Sequence, residues 1–169
     1  MDLKEQLSPE QFKAVFNVPL AGATYVAASS GGGFDMVKEL TNASKFMAAE
    51  AQKGAEGGYG ELTAGLLTAM TGMTGMSKDD SKSMQMDYEK SKDPAEMIKQ
   101  IRQTVVDGWA VVAGLPGADG FAKFVIDIAN TGALSKTGGH FGFGNKSEID
   151  EKEQTALDDL AAIMVVAAS

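Results

Sequence analysis

The sequence predicts an all-α fold, a single-domain bundle of about seven helices that spans residues 1–169. Apolar residues recur at helical spacings almost everywhere along the chain. No stretch shows the sustained alternation of apolar and polar residues that is typical of a half-buried strand. A chain of 169 residues without cysteine is also long enough to bury a core that needs no disulfide to hold it.

The start of the first helix is marked by capping residues, and Pro19 interrupts its helical pattern. Ser8-Pro9-Glu10-Gln11 combines an N-cap serine, a proline at the first helical position and a glutamine at the capping-box position. Pro19 lacks a backbone N–H and crowds the preceding turn, so it predicts either a kink or the start of a second helix. The small-residue run Leu20–Ala28 continues as a helix until the glycines at 31–33 end it.

The next two helices each carry an apolar stripe. The first ends at Lys53-Gly54, a cation followed by a C-cap glycine. Its stripe consists of Val37, Leu40, Ala43, Met47 and Ala51. After a glycine-rich loop at 57–60, the second stripe consists of Leu62, Leu66, Met70 and Met73, and Met76 extends it. Thioethers can bind Cu(I), but methionine is also a common filler of irregular cores, and we favour packing in the core or on a partner-facing surface over a copper site.

A charged segment marks the midpoint of the chain, at residues 77–93. It predicts either a short exposed helix or a solvated linker. Asp93-Pro94 then caps the strongest amphipathic helix, which Gly114-Leu115-Pro116-Gly117 ends. Its apolar face consists of Met97, Ile98, Ile101, Val105, Trp109 and Val112.

The last part of the chain predicts two helices and a long loop. Phe121, Phe124, Val125 and Ile128 share one helical face, and this helix closes near Thr131-Gly132. A Gly/Phe loop follows at 132–146. The final helix begins around Asp150, has Glu153 at the capping-box position, and buries Leu157, Leu160 and Met164. The expected core comprises Phe12, Phe16, Leu40, Leu66, Ile101, Val105, Trp109, Phe124, Ile128 and Leu160.

The two halves of the chain are loosely alike. Each is expected to have a glycine-rich turn with phenylalanine, at Gly33-Phe34 and at Gly120-Phe121, followed by an amphipathic helix. The pattern leaves open whether this likeness is a true repeat.

The charge of the chain excludes some partners. With 23 acidic and 15 basic residues the formal net charge is −8, which opposes binding to nucleic acid. Residues 14–34 carry no charged side chain, but glycine, proline and polar residues interrupt the stretch, so we expect no membrane span. The N-terminus shows no secretory signal pattern, and we expect a cytoplasmic protein.

No motif predicts a specific catalytic reaction. The stretch 139–147 resembles a phosphate-binding G-x-x-x-x-G-K-[ST] loop, but Asn145 separates the glycine from Lys146. His140 is the only histidine, which rules out a multi-histidine metal site within one chain. The acidic turn at 148–153 could offer oxygen ligands to a hard cation, although acids in a first helical turn ordinarily cap amides.

Two segments resemble the TerB-like tellurite-resistance family. Residues 20–31, Leu-Ala-Gly-Ala-Thr-Tyr-Val-Ala-Ala-Ser-Ser-Gly, resemble its small-residue helix, and residues 148–153, Glu-Ile-Asp-Glu-Lys-Glu, resemble its acidic turn. The resemblance implies an all-helical, cytoplasmic, cation-binding stress-response domain built from related halves. It would make Asp150 and Glu153 ligands of a divalent cation such as Ca²⁺.

Taken together, these patterns predict a non-enzymatic helical domain that acts by protein–protein interaction or assembly, with a protein partner or as a homo-oligomer. The alternatives are the TerB-like cation-binding domain and an enzyme that uses the glycine-rich loops.

Overall fold

The computed structural model of the chain describes residues 3–30, 34–72, 84, 93–134 and 149–165. Within these ranges the chain is almost entirely helical and has no β-strand, so the all-α prediction is confirmed. The α-helices are α1 (Leu3–Gln6), α2 (Pro9–Ser29), α3 (Phe34–Lys53), α4 (Gly60–Gly72), α5 (Pro94–Val112), α6 (Ala118–Ala133) and α7 (Glu151–Ile163). A 3₁₀ turn, Gly54–Gly57, separates α3 from α4.

Helix α2 is the centre of the bundle. It packs against α3, α5, α6 and α7, and every residue from Ala21 to Ala27 is buried. Most of these residues are small, so neighbouring helices can approach α2 from several sides. A helix that is apolar all round is expected in this central position.

Pro19 lies inside α2, which runs from Pro9 to Ser29 as one helix. The prediction of a second helix starting at Pro19 is therefore wrong, and the short α1 is a helix that the sequence did not predict. Pro19 is buried, as are Val18 and Ala21 around it. Packing on several sides holds the helix together at a point where proline removes one backbone hydrogen bond.

The predicted helix caps are confirmed. Ser8 and Gln11 form a reciprocal capping box at the start of α2, and the Asp93 side chain accepts a hydrogen bond from the Ala95 amide at the start of α5. Gly54 and Gly117 have φ values of +56° and +88°, a left-handed conformation that glycine adopts without strain. These signals are local, which is why the sequence shows them directly.

The predicted core is largely correct. All of its residues are buried except Phe16 and Leu40, which are half-buried and pack against the core. Val37 was predicted on the apolar stripe of α3, but its side chain is 64% exposed. Gly132 of α6 contacts α3 at Glu39 and Ala43, and Val37 precedes both in the chain.

The predicted turn at Gly120-Phe121 does not exist. Both residues lie in the first turns of α6, and the chain reverses earlier, at 114–117. Gly120 is packed so closely on the backbone of Tyr59 that an added Cβ would lie 2.8 Å from the Tyr59 carbonyl carbon. The glycine therefore serves a close contact and not a turn.

Within the charged midpoint, the structure describes Met84 and the helix cap Asp93. Met84 shows how the segment meets the bundle. This residue is half-buried, packs against the main core, and its carbonyl oxygen accepts a hydrogen bond from Asn17 Nδ2 at 3.1 Å. At this position the segment is attached to α2.

Candidate functional site

A groove lies between α3 and α6. The two helices approach closely at Gly132, where an added Cβ would lie 3.3 Å from the Glu39 carbonyl oxygen. Beside this crossing they leave a groove of about 500 Å³. The described residues that line it are Asn42, Lys45, Phe46, Thr131 and Leu134.

The apolar part of the groove packs on the core. Phe46 is half-buried and stacks on Phe124, with ring centroids 6.5 Å apart. Phe124 is fully buried and also contacts the Tyr59 ring edge-on, at 5.2 Å. Leu134 follows the end of α6 and is 49% exposed. The groove thus presents an anchored aromatic ring and an exposed leucine.

The rest of the groove is polar. Asn42 and Lys45 lie on α3, and Lys45 is exposed. The Thr131 hydroxyl donates to the Asp127 carbonyl oxygen at 2.7 Å, so its oxygen can still accept a hydrogen bond from a ligand. Among the described lining residues there is no carboxylate or histidine to act as a general base. The described side chains offer an apolar surface with hydrogen-bonding groups at its edge, which suits binding.

A polar cluster of Tyr59, Lys123 and Asp127 lies next to the groove, because Asp127 is one helical turn before Thr131. The Tyr59 hydroxyl donates to Asp127 Oδ2 at 2.8 Å, and Lys123 Nζ donates to the same oxygen. Burial raises the pKa of Tyr59, and the hydrogen bond to Asp127 raises it further. Tyr59 therefore stays protonated and joins the 58–60 turn to α6 as a donor.

A second polar cluster joins three helices on another side of the bundle. Arg102 donates from Nε and Nη2 to the two oxygens of Asp159, at 2.7 and 2.8 Å, and the Tyr25 hydroxyl donates to Asp159 Oδ2 at 2.9 Å. The hydrogen bonds from Arg102 lower the pKa of Asp159. These donors come from α2 and α5 and meet on one carboxylate of α7, so the cluster links the three helices.

The predicted cation ligands Asp150 and Glu153 lie together at the start of α7. Asp150 Oδ1 accepts from the Glu153 amide at 2.8 Å, and Glu153 Oε2 accepts from the Asp150 amide at 3.2 Å. This is the reciprocal capping box that the sequence predicts, and Glu153 is fully buried within it. Among the described residues, no group of three or more acidic, histidine or cysteine side chains could hold a metal ion. Cation binding by this turn stays a prediction.

Other predicted features lie outside the described residues. They include Met73 and Met76 of the methionine series and His140 of the Gly/Phe loop. The start of that loop was predicted at Gly132, which is instead part of α6.

The groove itself was not predicted. A usable signal was Phe46, an aromatic residue on α3 that lies off the stripe formed by Ala43 and Met47. An aromatic at the edge of the polar face indicates a second contact surface on the same helix.

Comparison with protein-family models, with curated proteins and with solved structures finds no match to this chain. The TerB-like resemblance therefore stays a prediction. Among the described helices, none combines the length and apolar character that crossing a bilayer requires.

Proposed function

We propose that this chain is a non-enzymatic helical module that acts by binding another protein, and that the α3–α6 groove is its contact surface. The observation that carries the proposal is the pairing of Phe46, anchored on the buried Phe124, with the half-exposed Leu134 across the groove. Interfaces concentrate their binding energy in a few apolar and aromatic anchors surrounded by polar residues. The groove has both parts.

The size of the groove suits a few side chains of a protein partner. Its volume of about 500 Å³ is largely open to solvent, unlike the enclosed clefts that bind small molecules. Its walls are two helices, which is the geometry that receives an apolar segment of a partner in helix-in-groove recognition. Asn42 and Thr131 can hydrogen-bond polar groups of that segment.

A second copy of the chain is the competing partner. Two copies with a formal charge of −8 each repel one another, which opposes self-association unless a large apolar surface offsets the repulsion. A partner of another sequence is therefore favoured. The cytoplasmic location, the cation-binding alternative and an enzyme that uses the glycine-rich loops stay predictions for which no described residue adds support.

The test compares two surface variants of similar character. Leu134→Glu places a charge in the groove, whereas Val37→Glu places the same charge on an exposed apolar residue that does not line it. Both side chains are about half exposed or more, so both variants should keep the wild-type circular dichroism spectrum and melting temperature.

Random phage-displayed peptides are selected on the wild-type chain, and the enriched peptides are then tested against both variants. We expect binding to be lost in Leu134→Glu and kept in Val37→Glu. If no enriched peptide depends on Leu134, the groove is not the contact surface. Sedimentation equilibrium of the wild type reports self-association in the same samples.

A further inference from the structure

We propose that the segment filling the α3–α6 groove carries a carboxylate beside its apolar anchor, so that the partner is an acidic, apolar stretch of another protein. This inference rests on the proposed function and adds the charge of the partner.

The Lys45 ammonium can pair with a group of a bound segment. It is the one charged group among the described residues that line the groove. Other described lysines of α3 and α6 are already paired: Lys53 with Glu50 at 2.6 Å, and Lys123 with Asp127. Lys45 has no such ion pair within the part of the chain that the structure describes. Its charge can therefore be matched by a partner.

Lys38 is a second exposed cation on α3. It precedes Lys45 by seven residues, or nearly two helical turns, so the two lysines lie on the same side of α3, and both are exposed. Asn42 lies between them on that side. A chain with a formal charge of −8 thus has two exposed cations on one side of α3, of which Lys45 lines the groove.

Two described carboxylates near the groove do not cancel the charge of Lys45. Asp127 lies one turn before Thr131 on α6, but its Oδ2 already accepts hydrogen bonds from Tyr59 and Lys123. Glu39 of α3 is buried, with 1% of its surface exposed, so it does not face the solvent beside Lys38. Among the described side chains that line the groove, Lys45 is therefore the charge that a bound segment meets, and it favours an anion.

The position of Lys45 beside Phe46 determines what the occupant looks like. An apolar side chain on Phe46 and Leu134 excludes water next to the ammonium, which strengthens its attraction to a neighbouring carboxylate. The match between charges selects the partner, while the apolar contact provides most of the affinity.

The experiment uses the enriched peptides that depend on Leu134. We expect them to combine an aromatic or aliphatic residue with at least one nearby aspartate or glutamate. Fluorescence polarisation then measures their affinity for wild type, Lys45→Glu and Lys99→Glu. Lys99 is an exposed lysine on α5, so its reversal changes the net charge of the chain equally without touching the groove.

Lys45→Glu should lower the affinity for these peptides about five- to tenfold, because an ion pair is lost and a repulsion is added at a largely solvated site. Lys99→Glu should change the affinity little. Replacing the acidic residues of a peptide by lysine should reverse the order and favour Lys45→Glu.

Leu134-dependent peptides that are neutral or basic would overturn this inference and leave the proposed function standing, and so would equal effects of the two charge reversals. Absence of any Leu134-dependent peptide overturns the proposed function itself. Self-association that Leu134→Glu abolishes and Val37→Glu does not would make a second copy the occupant and overturn the acidic partner.

Discussion

Single polar residues determine how the helices of this protein are joined. Asp159 receives two hydrogen bonds from Arg102 and one from Tyr25, so one carboxylate connects α7 with α5 and α2. The two charged side chains are 41% and 32% exposed, and solvent weakens their attraction. The fixed two-point geometry compensates in part, since a bidentate pair is stronger than a single contact.

Asp159→Asn should lower the free energy of unfolding at pH 7 by about 1 kcal/mol, because hydrogen bonds to a charged group are lost at a partly solvated site. The pKa of Asp159 is lowered in the folded chain, so its contribution is present above the unfolded pKa of about 4 and is lost as pH falls. The difference in the free energy of unfolding between wild type and variant should therefore become small as the pH falls. We call this difference the gap.

Urea unfolding of both proteins at several pH values measures this gap. The control is Asp158→Asn, which alters an exposed neighbour that accepts a hydrogen bond from Gln154 only. A gap that stays constant from pH 7 to below the lowered pKa of Asp159 in the folded chain would show that the Asp159 charge does not stabilise the fold.

The capping box of α7 can also be tested by single substitutions. Asp150→Asn should change stability little, because asparagine caps a helix nearly as well, and Asp150→Ala should cost about 1 kcal/mol. Ca²⁺ should leave the melting temperature of all three proteins unchanged, because each carboxylate is directed at a backbone amide.

Thermal unfolding with and without Ca²⁺, at physiological ionic strength, provides the measurement. A rise in melting temperature at micromolar Ca²⁺ that Asp150→Asn removes would instead support the cation-binding alternative, since salt screens diffuse attraction more than a coordinated ion.

At the scale of whole elements, close helix crossings organise the bundle. Helix α5 meets α2 where Gly108 lies against Ala14 and Val18. An added Cβ on Gly108 would lie 2.6 Å from the Ala14 carbonyl oxygen and would also collide with a Val18 methyl group. Because the obstacle includes backbone, only a shift of one helix could make room.

Gly108→Ala should destabilise the protein by about 1–3 kcal/mol, since overpacking at a helix crossing outweighs the ~1 kcal/mol that alanine gains in helix propensity. Gly72→Ala is the control, because Gly72 ends α4 and no described atom outside its own helix lies within 4 Å of its added Cβ. We expect that control to be neutral or slightly stabilising in chemical denaturation. Equal effects of the two substitutions would mean that α2 and α5 can separate without cost.

At the scale of the whole molecule, the core consists of two apolar clusters. The larger surrounds α2 and includes Trp109, whereas the smaller lies among α2, α3, α4 and α6 and includes Phe124. Met70 packs against both clusters, and α2 contributes buried residues to both. These shared contacts indicate that the clusters unfold together.

Phe124→Ala should therefore cost about 3–5 kcal/mol in every probe of unfolding, including the fluorescence of Trp109 in the other cluster. Trp109 is the only tryptophan, so its emission reports the larger cluster alone. Fluorescence and far-ultraviolet circular dichroism should give coincident transitions. A variant whose circular dichroism changes at lower denaturant than its fluorescence would show that the clusters are independent.

The sequence by itself determined the fold class, most helix limits and most of the core. Capping boxes, left-handed glycines and helical stripes act within a few residues of one another, so their physical signals are complete in the local sequence. The Asp150–Glu153 capping box and the face formed by Phe121, Phe124 and Ile128 are examples in which sequence and structure agree.

Only the tertiary structure decided which surfaces meet. Helix α2, which packs on several neighbours, continues past Pro19. Gly120, which was expected in a turn, instead packs against the backbone of Tyr59. The groove exists because Gly132 brings α6 close to Glu39 while Phe46, farther along α3, remains partly uncovered. Such features depend on the placement of residues far apart in the chain, and local periodicity carries no information about that placement.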